Sequence, residues 1–189
     1  AKFALDQLKT IKPAVLYDVA SEYNKGIAEV YKATLEAAGI TLAAFESYTS
    51  GDKDFSAQIT KIVQAGADSL FLPNYYSEVP LQVQQAKKLG YEGSFIGSDS
   101  WGSAELLTLC GSDCNGSYFT THYAADIATE KAQGFIAAYK AAYQATPDDV
   151  AALTYDSFGL LFQSLQAAGK VDREAVRNAM AAITSYEGV

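Results

Sequence analysis

The sequence predicts an α/β fold: a five-stranded parallel sheet with helices on both faces, followed by a helical C-terminal segment. Three observations carry this. Short apolar runs of strand length alternate with helical apolar patterns up to about residue 125. Gly39, Gly66 and Gly90 close the helical patterns where a left-handed residue ends a helix. After Asp126 the alternation stops, and three helical patterns follow with no strand between them.

Residues 1–10, with Phe3, Leu5 and Leu8 apolar, read as the middle of an amphipathic helix in what is expected to be a piece of a longer chain. Ala14 to Tyr17 is the first strand. The helix after it is capped by Ser21 and carries Ile27, Val30, Tyr31, Leu35 and Ala38 on one face. Thr41 to Tyr48 reads as the second strand, and Asp54 as the cap of a helix bearing Phe55, Ile59, Ile62 and Val63. The run SLFLPNYYSE, Ser69 to Glu78, is the expected central strand, broken at Pro73-Asn74 before a helix start at Ser77. The helix that follows carries Val79, Leu81, Val83, Ala86 and Leu89. Ser94 to Gly97 and Ser117 to Thr121 are the last two strands, with a short helix from about Ser103 to Leu109 between them.

Parallel strands joined by right-handed crossovers are most simply arranged in the flavodoxin-like order 2-1-3-4-5, with the switch point between the first and third strands. The loops there bring Tyr23, Tyr75 and Tyr76 to one crevice. Asp99, at the end of the fourth strand, either pairs with a ligand ammonium group or caps the next short helix. Trp101 either walls the pocket or packs over its loop, and Tyr23 either stacks on a ligand or staples its helix.

Beyond residue 126, Thr129, Asp148 and Asp172 are caps for helices over 130–145, 149–168 and 173–183. The middle one is apolar around much of its circumference, with Val150, Leu153, Phe158, Leu160, Leu161, Phe162 and Leu165. Such a helix calls for more than one packing partner.

Composition narrows the function classes. A net charge of -8 without a Lys/Arg cluster argues against a nucleic-acid partner. No apolar run is long enough to span a bilayer. P-loop, G-x-S-x-G and dinucleotide glycine motifs are absent from the sequence, which argues against an enzyme and calls for no cofactor. His122 is the only histidine, so a catalytic triad or a histidine-rich metal site would have to be built around it; the plainer reading is a residue at the end of the fifth strand. Cys110 and Cys114 are either a local disulfide, fitting an oxidising compartment, or free thiols; with His122 they make an incomplete zinc set.

Taken in succession, AVLYDVASEYNKGIAEVYKATLEAAG, GDKDFSAQITKIVQAGADSLFLPNYYSE, QAKKLGYEGSFIGSDSWGS and NGSYFTTHYAAD resemble the branched-chain amino acid binding proteins of ABC transporters, the type I periplasmic binding family. The resemblance runs on through FIAAYKAAY and YDSFGLLFQSLQAAG to YEGV. It implies two lobes that close on a small ligand, of which residues 1–125 form the second and 126–189 return toward a first lobe whose sheet is not in this sequence. By resemblance, Tyr23, Tyr75 and Asp99 occupy the ligand positions, Asp99 standing where relatives have glutamate to hold the α-ammonium. The resemblance further implies a membrane permease as partner and a periplasmic or extracellular-surface location, lipid-anchored in a Gram-positive-type envelope. A ligand-sensing domain on the same fold is the alternative. With its sheet missing, the helical segment is expected to pair the isolated chain into a homodimer or to exchange helices between copies, with Phe158, Leu161 and Phe162 near the contact.

Overall fold

The computed structural model of the chain describes residues 1–127 and 129–189. The described residues form two compact units, Ala1–Thr121 and His122–Val189.

The first unit is built on β1 (Pro13–Asp18), β2 (Ala44–Tyr48), β3 (Ser69–Leu72), β4 (Ser94–Gly97) and β5 (Tyr118–Phe119). All pairings are parallel and the order is β2-β1-β3-β4-β5, as the alternation predicts. The helices are α1 (Lys2–Asp6), α2 (Glu22–Ala37), α3 (Ser56–Gln64), α4 (Val79–Lys88) and α5 (Ala104–Cys110).

Strand alternation divides the core between the two sheet faces. Ala14, Leu16, Leu70, Leu72 and Phe95 face α3, α4 and α5. Val15, Tyr17, Phe71 and Ile96 face α1 and α2. One face is therefore covered by three helices, the other by a 16-residue helix and a five-residue one. A groove of about 710 Å³ lies on the thinner side, floored by Phe71, Ile96, Tyr118 and Phe119.

Local signals place the ends well. Ser21 accepts from the Asn24 N–H, and Gly39, Gly66 and Gly90 adopt positive φ. Elsewhere the structure corrects the sequence reading. β2 starts at Ala44 rather than Thr41, and β5 shrinks to Tyr118–Phe119. Phe55 takes the N-cap position of α3, while Asp54 accepts from the Ser56 N–H one step earlier. α4 begins at Val79, and Glu78, not Ser77, precedes it.

The buried face of α2 is Asn24, Ala28, Tyr31 and Leu35, and Val30 is exposed. The apolar residues alone put the stripe out of phase, because a polar residue holds one of its slots.

The second unit contains α6 (Glu130–Tyr143), α7 (Asp149–Ala168) and α8 (Arg173–Ala181). Thr129, Asp148 and Asp172 each accept a hydrogen bond from the first turn they cap. Its small core is Phe135, Ile136 and Ala152, with Tyr123, Tyr139 and Val189 against them. Along α7, Val150, Leu153, Tyr155, Phe158 and Phe162 are exposed.

Among the described residues, no helix is long and apolar enough to cross a membrane.

Candidate functional site

The site lies at the C-terminal end of the sheet, where helices leave β1 and β3 toward opposite faces. β1 leads into Ser21 and the first turn of α2, which presents Tyr23. β3 ends at Leu72, and Pro73-Asn74 turns the chain so that Tyr75 stands out at 45% exposure. The two rings stack, with centroids 5.7 Å apart and planes 23° from parallel.

β4 supplies the third wall. It ends at Gly97 and passes into a 3-10 turn over Asp99–Trp101. The Tyr23 hydroxyl donates to Asp99 Oδ1 at 2.6 Å and lies 3.4 Å from Ser98 Oγ. Burial, then the hydrogen bond to the Asp99 carboxylate, raises the Tyr23 pKa above its ordinary value, so the phenol stays a proton donor at neutral pH. Two aromatic faces beside one carboxylate place negative charge and ring quadrupole together, the chemistry that suits a cationic group such as an ammonium.

Cross-links hold the three loops in place. The Ser100 hydroxyl donates to the Asn74 carbonyl at 2.8 Å, and the Tyr76 N–H donates to the Ser100 carbonyl at 3.2 Å. Ser98 Oγ and Ser100 Oγ are 2.8 Å apart. On the β2 side, the buried Tyr48 hydroxyl donates to Glu78 Oε2 at 2.8 Å. Burial, reinforced by that carboxylate, pushes Tyr48 well above the ordinary phenol range.

The structure brings together three of the five expected ligand residues, Tyr23, Tyr75 and Asp99. The other two point away. Tyr76 packs against the core on the α3–α5 face. Trp101 is 1% exposed, and its indole N–H donates to the Leu72 carbonyl at 3.1 Å. It belongs to the core rather than to a pocket wall. Its ring lies so close over Gly97 that a Cβ there would sit 2.2 Å from Trp101 Cδ2, so only glycine fits at the end of β4.

Cys110 and Cys114 are joined in a disulfide that closes the end of α5. His122 falls in the second unit, its Nδ1 3.7 Å from Asp149 Oδ2. No group of three metal-ligating side chains occurs among the described residues.

The sequence pattern marks Asn74 only as a strand break, gives no role to Ser98 and Ser100, and hides Asn24 and Gln82 inside helical patterns. The available signal was a polar residue in a slot that periodicity assigns to the core.

A parallel sheet in the order β2-β1-β3-β4-β5, with an aromatic pair and a carboxylate at its switch point, defines the class: a doubly wound α/β fold. The particular family follows from comparison. The whole chain, residues 1–189, matches the family model described as periplasmic binding protein, and it belongs to that family, whose members are substrate-binding proteins rather than enzymes.

Relatives agree. The chain is 34% identical over 184 residues to the leucine-, isoleucine-, valine-, threonine- and alanine-binding protein of Pseudomonas aeruginosa, covering 97% of this chain and 48% of that protein. To the Leu/Ile/Val-binding protein BraC3 of Rhizobium johnstonii it is 32% identical, covering 95% and 48%. Among solved structures, leucine binding protein LivK of Thermotoga maritima superposes with a TM-score of 0.88 at 29% identity, over 95% of this chain and 51% of that one. LivJ of Streptococcus pneumoniae, solved with isoleucine, gives 0.83 at 28%, over 99% and 53%. The chain thus spans about half the length of the relatives it matches.

Proposed function

We propose that this chain is the ligand-binding second lobe, with the return toward a first lobe, of an ABC importer's extracytoplasmic solute-binding component. Residues 1–125 form the lobe and 126–189 lead back. The ligand is a branched-chain or related amino acid, its ammonium group on Asp99 and its body against Tyr23 and Tyr75. The α-carboxylate is held by the half of the protein this chain does not span, and closure of the two lobes excludes water. The protein works in the periplasm or on the cell surface, lipid-anchored where the envelope has no outer membrane, and hands its ligand to a membrane permease.

The observation that carries the reading is the Tyr23–Tyr75 stack with Asp99 bonded to the Tyr23 hydroxyl at the switch point. The likeness to a relative solved with isoleucine supports it. Calorimetric titration of the full-length polypeptide against free L-amino acids tests it. Uptake of a branched-chain amino acid is expected, with Asp99→Ala weakening it on the order of 100-fold by removing a charge-assisted contact. Absence of binding across the panel overturns the assignment. The 189-residue chain alone is expected to bind far more weakly, because half of the contacts and the closure are missing.

The exposed side chains along α7 include Phe158 and Phe162, 54% and 58% exposed, with Leu161 beside them. In the complete protein this face is covered by the remaining half, and in the isolated chain a second copy covers it. Light scattering of the isolated chain is expected to give a dimer mass; a monomer at high concentration refutes that pairing.

A further inference from the structure

Beneath the tyrosine pair lies a chain of carboxamides that the ligand contacts do not explain. Asn24, Asn74 and Gln82 are each no more than 1% exposed. Asn74 Nδ2 donates to the Leu16 carbonyl in β1 at 2.9 Å and to Gln82 Oε1 in α4 at 2.8 Å. Asn24 Nδ2 donates to Asn74 Oδ1 at 3.3 Å.

The polarity of the chain is fixed from one end. The Leu16 carbonyl can only accept, so Asn74 must turn its nitrogen to β1. Gln82 must then offer its oxygen, and Asn24 its nitrogen. The arrangement leaves Asn24 Oδ1 buried with no hydrogen-bond partner among the described residues. Burying unpaired amide atoms is unfavourable, and an apolar core would avoid it.

Position explains their presence. Asn24 follows Tyr23 in the chain and Asn74 precedes Tyr75, so one amide–amide bond joins the two backbone segments that present the stacked rings. The Asn74 carbonyl also accepts from Ser100, next to Asp99. Asn74 thus touches β1, α2, α4 and the turn after β4 at once.

We propose that Asn74, through Asn24 and anchored by Gln82, is a positioning residue that sets the spacing of Tyr23 and Tyr75 and with it the shape of the ligand site. Its bearing on ligand affinity rests on the amino-acid-binding reading above; its hold on the rings does not.

Asn24→Ala is the informative variant, because it removes an unpaired buried oxygen together with the long bond and keeps the Ser21 cap, which uses the backbone N–H. Tyrosine-labelled 189-residue chain is examined by NMR for cross-peaks between the Tyr23 and Tyr75 rings, and the full-length polypeptide is titrated with L-leucine. Expected for Asn24→Ala are a thermal midpoint within about 3 °C of the parent, loss of the ring cross-peaks, and L-leucine affinity lower by about tenfold. Asn74→Ala is expected to lose the cross-peaks and also to melt earlier, since it strands the Leu16 carbonyl.

Cross-peaks that survive in Asn24→Ala overturn the proposal, even if affinity falls. A midpoint that collapses in step with the cross-peaks overturns it too, by assigning Asn24 a general packing role. If the parent takes up no L-leucine and the cross-peaks still vanish in Asn24→Ala, the positioning role stands and the amino-acid reading fails.

Discussion

The two units carry the same local signals, side-chain caps and apolar periodicity, yet their apolar residues meet different fates. In the first unit Leu16, Leu35, Ile59, Ile62 and Leu72 are each fully buried. In the second, α7 is longer and just as apolar, but Leu153, Phe158 and Phe162 are exposed. The difference is a layer. A sheet offers two broad faces that helices can cover, whereas three helices with a core of Phe135, Ile136 and Ala152 leave Val150, Leu153, Phe158 and Phe162 of α7 exposed. Caps and periodicity decide that a segment is helical, and only a facing surface decides whether it stabilises the molecule.

The largest test of this contrast is Leu16→Ala. Leu16 is 0% exposed in β1, and truncating it is expected to cost about 2–5 kcal/mol in a urea melt followed on the first unit. A loss below the lower end of that range would mean that the sheet core tolerates a cavity as easily as the helical unit does.

Next in size is Asp148→Ala. Asp148 Oδ1 accepts from the Ala151 N–H at 2.9 Å, and losing the cap is expected to cost about 1 kcal/mol. Hydrogen exchange should locate the change in the first turn of α7 and leave β1 untouched.

A pH-dependent effect separates the units further. Asp68 is subject to burial, which would raise its pKa, but the Thr10 hydroxyl, the Ile11 and Lys12 N–H groups and the Ser69 hydroxyl outweigh it and hold the carboxyl below its usual range. A carboxylate depressed on folding stabilises the fold above its unfolded pKa of about 3.9 and loses that contribution as pH falls through the folded value. Asp68→Asn is therefore expected to lower the urea midpoint of the first unit at pH 6 and to converge on the parent in strong acid. A gap that stays constant with pH would rule out this linkage.

The smallest expected effect is on the exposed face. Phe158→Ser should change the stability of the isolated chain by no more than about 0.5 kcal/mol, because the side chain is 54% exposed. It should nevertheless shift the light-scattering mass toward monomer. A large loss of stability would show that α7 is already covered within the chain.

The same contrast governs the site. Tyr23, Tyr75 and Asp99 were readable because strand order alone brings the ends of β1, β3 and β4 together. Tyr76 and Trp101 are as close in sequence, but side-chain direction after Pro73 and within the 3-10 turn sends them into the core. Asn24 and Gln82 were hidden for the opposite reason, since polar residues in a helix are ordinarily assigned to solvent.

By itself, then, the sequence determined what depends on neighbours along the chain and on their order: the elements, the caps at Ser21, Thr129, Asp148 and Asp172, the strand order and the three loops that meet. Tertiary structure decided what depends on contacts between distant residues. It chose which tyrosine stacks on Tyr23 and which packs on the core, placed Trp101 over Gly97, and buried three carboxamides beside the ring pair. Local propensity acts within a few residues, whereas a side chain's direction is settled only when another element, tens of residues away, packs against it.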